Sequence, residues 1–404
     1  MTTQLSAHHG AVRGAALLPQ SDGTVAFLPH AELAWEHGRF TVVRALTTPL
    51  PADAPLLLPG FVDLHCHWPQ AHVRGQFAGQ LLPWLREAIW PAEAAFRDLA
   101  VARQRAQAFV AAITRAGTCA GLFFGPPFAE ATPVFLAQAP HGFLEGPAIM
   151  SQNAPDALLR PAQATLDLLQ ALHSQRVAIT PRFAPSVDAA GLAACGTLAQ
   201  ATGWPVQSHL AENLDELAWV RQLFPQAVDY TDVYDQAGLL GPRTVLAHGV
   251  HLPDRALARL AASGTLIAHC PTSNEALGSG RMPLERLRAA GVPWVLATDV
   301  GAGPKLSQLH VMQRFLAIHA GHAPVSATEA LARATAIPGA WLAQFDPGLS
   351  GLGTLAVGAP AHIVALPRPD GAAPEPLLQA LLDRPAATLE QLPTQVTLWG
   401  APLF

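Results

Sequence analysis

The chain has 404 residues, 50% hydrophobic and only 13% charged. The usual charged share is about a quarter, so most of this chain belongs inside something compact, either one large core with an appendage or two domains. The formal net charge is −5 and there is no basic run, which argues against a nucleic-acid partner.

Cys66, Cys119, Cys195 and Cys270 lie far apart, with no CxxC pair, and read as reduced thiols of a cytoplasmic protein. The start, MTTQLSAHHG, lacks the basic and apolar regions of a signal peptide. No unbroken apolar run reaches the roughly 18 residues of a spanning helix, so no membrane partner is expected.

Residues 1–55 read as short strands punctuated by glycine, as in GTVAFLPHAELAWEHGRFTVV. LLLPGFVDLHCH follows as a buried strand ending in two histidines. The stretch 77–96, FAGQLLPWLREAIWPAEAAF, is long and aromatic. It suits a cover over a site, a contact between subunits, or core, and core is the simplest place for Trp84 and Trp90. From Gly117 the chain alternates β-like runs with Ala/Leu/Arg stretches of helical spacing. In ENLDELAWVRQLF, Leu214, Leu217, Val220 and Phe224 share one face, and PDRALARLAASG closes on a glycine stop signal.

Strands are expected to begin near Leu56, Thr118, Gly142, Arg176, Pro205, Thr244, Thr265 and Pro293. Strand–helix alternation at this interval implies parallel βαβ units, and eight strands close a (β/α)8 TIM-like barrel. An open doubly wound sheet would be signalled by a GxGxxG turn, and none occurs. Residues 346–404, with GLGTLAVGAPAHIVALPRP and TQVTLWGAPLF, return to the character of the N-terminus. The expected organisation is an α/β barrel over 56–345. A small β-sandwich domain would then form from segments 1–55 and 346–404.

His65 and His67 end the first barrel strand, and His209, His248, His269 and Asp299 end later ones. In a parallel barrel every carboxyl end opens on one face, so residues more than two hundred positions apart converge. A histidine at a strand end is costly unless its nitrogens are used. One such residue is ordinary core; several on one face point to a metal. The expected ligands are His65, His67, His209 and Asp299, around a catalytic Zn²⁺; Fe²⁺ would accept the same set. His248 is placed beside them, near an attacking oxygen, and His269 either orients a neighbour or packs. Two-metal barrels often bridge their ions with a carboxylated lysine on the fourth strand. The only lysine here is Lys305, so one metal per chain is expected. Glu212, three residues after His209, reads either as an acid favoured at a helix N-terminus or as a proton shuttle.

PGFVDLHCHWPQ, TPRF, QSHLAEN, VLAHG, AHCPTSN and ATDVGAG together resemble the amidohydrolase superfamily. HWPQ, LLPWLREAIWPAE, TPRF and YTDVYDQAGLL are closer still to its guanine deaminases, over about Leu56 to Leu342. The resemblance implies zinc on His65, His67, His209 and Asp299, with Glu212, His248 and Asp299 catalytic. It implies that Gln70 and Arg182 bond the carbonyl edge of a purine, that Phe183 packs on its ring and that His209 also faces it. It further implies deamination of guanine to xanthine in a cytoplasmic homodimer. The chain departs from that pattern at Lys305, Ser151 and His362, none an expected metal ligand. Two other readings stand beside it. One is a related aminohydrolase or chlorohydrolase acting on another purine, pyrimidine or triazine; the other is a non-catalytic scaffold of the same fold. A cytidine-deaminase type site would need HxE with PCxxC, and neither occurs.

Overall fold

The structure, a computed structural model, describes residues 9–77, 79–174 and 176–404. Residues 1–8, which carry most of the signal-peptide reading, and Ala78 within the 77–96 segment lie outside the described residues.

The N-terminal strands β1 (Gly10–Pro19), β2 (Val25–Glu36) and β3 (Arg39–Ala45) form an antiparallel meander, and β4 (Leu56–Pro59) joins β1 in parallel. Then come β5 (Phe61–His67), β6 (Thr118–Gly125), β7 (Phe143–Pro147), β8 (Val206–Leu210), β9 (Thr244–His248), β10 (Leu266–His269) and β11 (Trp294–Leu296). The C-terminal β12 (Ile363–Leu366), β13 (Gln395–Leu398) and β14 (Ala401–Pro402) return to the first sheet, whose order is β14-β13-β12-β4-β1-β2-β3. The two chain ends thus pair into one sheet. Its faces alternate as a strand requires: Leu56 and Leu58 enter the large core, while Leu57 packs with Leu33, Trp35, Phe40 and Ile363.

One expectation is corrected here. Leu56–Pro59 belongs to the terminal sheet, pairing with β1 and β12, and the first barrel strand begins at Phe61. The chain crosses between sheets at Gly60, where a β-carbon would collide with the Cys119 sulfur. Both strands are fully buried, so their joint sequence shows one continuous apolar run with no period to divide it.

The barrel is built from β5-β6-β7 and β8-β9-β10-β11, all parallel. Residues 176–181 bridge the two groups. The Ala178 N–H donates to the Glu145 carbonyl at 3.0 Å and the Ile179 N–H to the Pro205 carbonyl at 2.9 Å. Pro181 lacks a donor, and this expected fourth strand is reduced to isolated bridges. Closure comes after β11: the Asp299 N–H donates to the His65 carbonyl at 2.9 Å, and the His67 N–H to the Val300 carbonyl at 3.2 Å. Small apolar residues from around the barrel, including Leu64, Ala120, Val245, Ala247, Ala268 and Ala297, share one cluster with Trp341, Leu342 and Leu349.

The intervening helices show the stop signals their sequences carry. Asp254–Ser263 ends on Gly264 and Ala189–Thr202 on Gly203, both left-handed. In Leu214–Leu223, Val220 and the following Phe224 are buried, but Leu214 is 65% exposed, because the first helical position precedes the turn that meets the core. All four cysteines are buried and free. Among the described residues no helix is long and apolar enough to cross a membrane.

Candidate active site

The carboxyl ends of β5, β8, β9 and the chain just after β11 bring five polar side chains together. One atom from each of His65, His209, His248 and Asp299 lies within 4.8 Å of the others. His67 joins them: its Nε2 is 3.1 Å from His209 Nε2 and 3.2 Å from Asp299 Oδ1, the same oxygen that lies 3.2 Å from His65 Nε2. Two local irregularities make this possible. The β5–β6 register shifts between Asp63 and Cys66, and His248 has φ of 75°. Leu64 and Ala247 belong to the barrel's apolar cluster, so strict alternation would turn the next residue outward; a bulge or a left-handed residue turns it back. Asp299 is left-handed too, at φ 48°.

Burial holds the imidazoles of His65, His67 and His209 below their ordinary pKa, His67 at about 3. Burial alone would raise Asp299, but the His65 and His67 rings, each with Nε2 3.2 Å from its Oδ1, outweigh it and hold the carboxyl well below the usual range. At neutral pH His65, His67 and His209 are therefore neutral imidazoles beside an ionised Asp299, the protonation state a metal requires of its ligands. The His–Asp contacts are not ion pairs in this state.

The donor set fits a divalent metal ion. Two atoms bound at about 2.0–2.2 Å to one ion sit roughly 3–3.5 Å apart, as the His67–His209, His65–Asp299 and His67–Asp299 pairs do at 3.1–3.2 Å. Fully buried His65 has no hydrogen-bond partner at Nδ1 or Nε2, and His248 has none at Nε2. Such orphaned nitrogens are costly unless something absent from the protein chain engages them. His209 Nδ1 lies 2.5 Å from the Arg182 carbonyl and His248 Nδ1 lies 2.9 Å from Asn274 Oδ1. Each Nδ1–H donates there, which turns the Nε2 lone pair to the site.

His269 stays apart. Ala268 and Cys270 face the apolar interior, and His269 turns the other way, with Nε2 2.9 Å from His319 Nε2 and its ring between Trp294 and Phe315. Of the two roles anticipated for it, packing is the one the geometry supports.

Glu212 is buried, with Oε2 3.5 Å from His248 Nε2, and accepts from the Ser279 hydroxyl at 3.0 Å. The helix-cap role belongs to its neighbours. Asn213 accepts from the Asp215 N–H at 2.9 Å, and the Glu216 carboxylate accepts from the N–H groups of Glu212 and Asn213. The Glu212 carboxyl is left for the cavity. Burial and the charge of Asp299 push it up to about 8.

A cavity opens over this cluster and includes Gln70, Arg182, Phe183 and Glu212 in its lining. Phe183 is buried against Trp219, ring centroids 6.0 Å apart. Leu81, Trp84 and Leu85 form part of the wall, so the described part of segment 77–96 contributes both cover and core. Sequence reasoning missed two acids. Glu93 accepts from Gln70 Nε2 at 2.8 Å and pairs with Arg182 Nη1 at 2.6 Å; it stood inside the WPAE motif without a role. Glu216 lines the cavity as well as capping its helix, and the spacing of Asn213 and Glu216 was the available signal.

The departures lie elsewhere. Ser151 Oγ donates to Asp188 Oδ2 at 2.5 Å, at the cap of the helix Ala189–Thr202. His362 is buried against Trp399 in the terminal sheet. Nothing in the structure explains Lys305.

A closed parallel barrel whose strand ends gather imidazoles and a carboxylate is the architecture of a metal-dependent hydrolase. The amidohydrolase family model matches residues 56–388, and the chain belongs to that family. A Deinococcus radiodurans protein named as a probable guanine deaminase is 39% identical over 366 residues, covering 82% of each chain. The guanine deaminase of Escherichia coli is 36% identical over 290 residues, which are 69% of this chain and 66% of that one. The solved structure of an Escherichia coli guanine deaminase superposes with a TM-score of 0.83 at 27% identity, covering 98% of this chain and 99% of the other.

Proposed function

We propose that this chain is a zinc-dependent guanine deaminase, converting guanine and water to xanthine and ammonia. The observation that carries the substrate is the pairing of Arg182 and Gln70 on the wall of the same cavity that holds the His/Asp cluster. Two hydrogen-bond donors fixed together suit a carbonyl oxygen, and a site built to bond a carbonyl rejects an analogue lacking it. The relatives described above carry the names probable guanine deaminase and guanine deaminase, which supports the same choice.

His65, His67, His209 and Asp299 would hold a single zinc ion, with His209 also facing the substrate. Bound there, zinc supplies a water acidified toward neutral pH and a positive charge beside the reacting carbon. Glu212 takes a proton from the attacking water and gives it to the ring nitrogen next to the carbon that bears the amine. It starts the step as a carboxylate, and its burial makes that carboxylate basic enough to hold the proton between the two transfers. His248, steered by Asn274, faces the attacking oxygen through Nε2, and Asp299 Oδ2, 3.9 Å from it, receives the remaining proton on the way to the departing ammonia. Phe183 packs on the purine ring. The chain acts in the cytoplasm as a homodimer in this proposal, as the resemblance implies.

The test is direct. Purified protein loaded with Zn²⁺ is given guanine, and xanthine is followed by ultraviolet change alongside ammonia release. Guanine should turn over while adenine and cytosine remain poor substrates. Comparable rates on all three, or none on guanine, would reject the assignment.

A further inference from the structure

We propose that Glu93 is a positioning residue for carbonyl recognition: it holds Gln70 and Arg182 with their donors turned to one point of the cavity. The inference rests on the substrate reading above and adds a residue and a mechanism to it.

Glu93 lies on the helical turn Trp90–Ala94 and is 1% exposed. Its two oxygens divide the work: Oε1 accepts from Gln70 Nε2 at 2.8 Å and Oε2 from Arg182 Nη1 at 2.6 Å. An ionised carboxylate only accepts. The Gln70 amide therefore cannot flip, because its oxygen would then face a carboxylate oxygen. The other side of the amide is also fixed. Gln70 Oε1 occupies space that a β-carbon at position 301 would fill, and Gly301 leaves it free. The remaining Gln70 N–H and the unheld guanidinium N–H groups are what Glu93 leaves for a ligand. Gln70 and Arg182 both line the cavity, whereas Glu93 itself stands behind them.

A buried ion pair is weak evidence for stability, since desolvation offsets its attraction. A buried carboxylate with one donor on each oxygen, both from residues of one binding wall, is better explained by orientation. The segment carrying it adds a second link. Leu81, Trp84 and Leu85 cover the cavity, a π-helical turn spans Leu85–Ile89, and Glu93 follows on the next turn. A wide turn of this kind resets the direction of the residues beyond it. One stretch of chain thus covers the purine and sets the pair that reads it.

The test separates recognition from folding and from chemistry. Hypoxanthine carries the ring carbonyl and purine lacks it, and neither bears an amine to be removed. Binding of both to zinc-loaded protein is measured by calorimetry for the native chain, Glu93→Gln and Glu93→Asp, with zinc content and thermal midpoint recorded. Glu93→Gln introduces an amide that can donate, which frees Gln70 to flip; Glu93→Asp withdraws the carboxylate, and serves if the first variant folds poorly. Hypoxanthine should bind about tenfold more weakly to either variant while purine binding holds, and KM for guanine should rise more than kcat falls. Equal weakening of both ligands, or unchanged hypoxanthine binding, would overturn the positioning role. A native protein that fails to prefer hypoxanthine over purine would instead overturn the substrate reading itself.

Discussion

The site has two buried polar poles, and they treat their polar atoms differently. At the strand ends, His65 is fully buried with both ring nitrogens unpartnered, and His248 leaves Nε2 unpartnered. At the opposite wall, Glu93, Gln70 and Arg182 satisfy one another at 2.6–2.8 Å. Unpartnered nitrogens gathered around one carboxylate suit a group from outside the chain, whereas side chains that satisfy one another need none. The first pole is a group of side chains that could hold a metal ion. The second is complete as a scaffold and offers only its spare donors.

The largest effects should come from breaking the first pole. In His209→Ala or Asp299→Ala, zinc content should fall well below one ion per chain and turnover should drop by at least about 10³-fold. Metal analysis with a guanine assay checks this. A variant that keeps stoichiometric zinc and full activity would show that these residues fill the barrel mouth without ligating.

Glu212 lies between the poles and is the finer probe. Glu212→Gln removes the proton shuttle but preserves size and the Ser279 hydrogen bond. It should retain zinc and fold while turnover falls about 10²–10⁴-fold. Full activity with metal in place would remove Glu212 from the proton path and leave Glu216 as the next acid on the cavity wall.

The two poles also differed in how far the sequence revealed them. The convergence at the first pole was legible because its signal is geometric: polar residues at the ends of apolar strands converge whenever the strands are parallel. His269 broke the pattern since strand ends alternate sides, and the bulge and left-handed residues that decide which side wins leave no clear mark in sequence. The reading pole was only half legible. Gln70 and Arg182 stood out through motif resemblance, whereas Glu93 follows Trp-Pro-Ala and reads as an acid in the first turn of a helix. Its partners lie 23 and 89 residues away, and no local period reports contacts of that kind. The barrel was legible from strand–helix alternation, apart from the division at Gly60 and the fourth strand, which is reduced to isolated bridges.

Another buried carboxyl tests whether pairing is what permits charge in this interior. Glu145 is fully buried on β7, where it faces no cation and accepts from Trp68 Nε1 at 3.2 Å. Burial pushes its pKa up to about 7 from 4.5. The group is thus neutral when folded at pH values where the unfolded chain has already ionised it. Its contribution to stability is fully present below about pH 4.5, declines as pH rises through 7, and is absent above. At about 1.4 kcal/mol per unit, the loss is on the order of 3 kcal/mol. Glu145→Gln keeps the acceptor for Trp68 and cannot ionise. Urea unfolding of both proteins should show the variant gaining stability relative to the native chain between pH 5 and pH 8, while any effect of zinc release at low pH cancels in the difference. A difference that does not change with pH would mean that Glu145 is ionised in the folded protein, and that an unpaired carboxylate is tolerated inside this barrel.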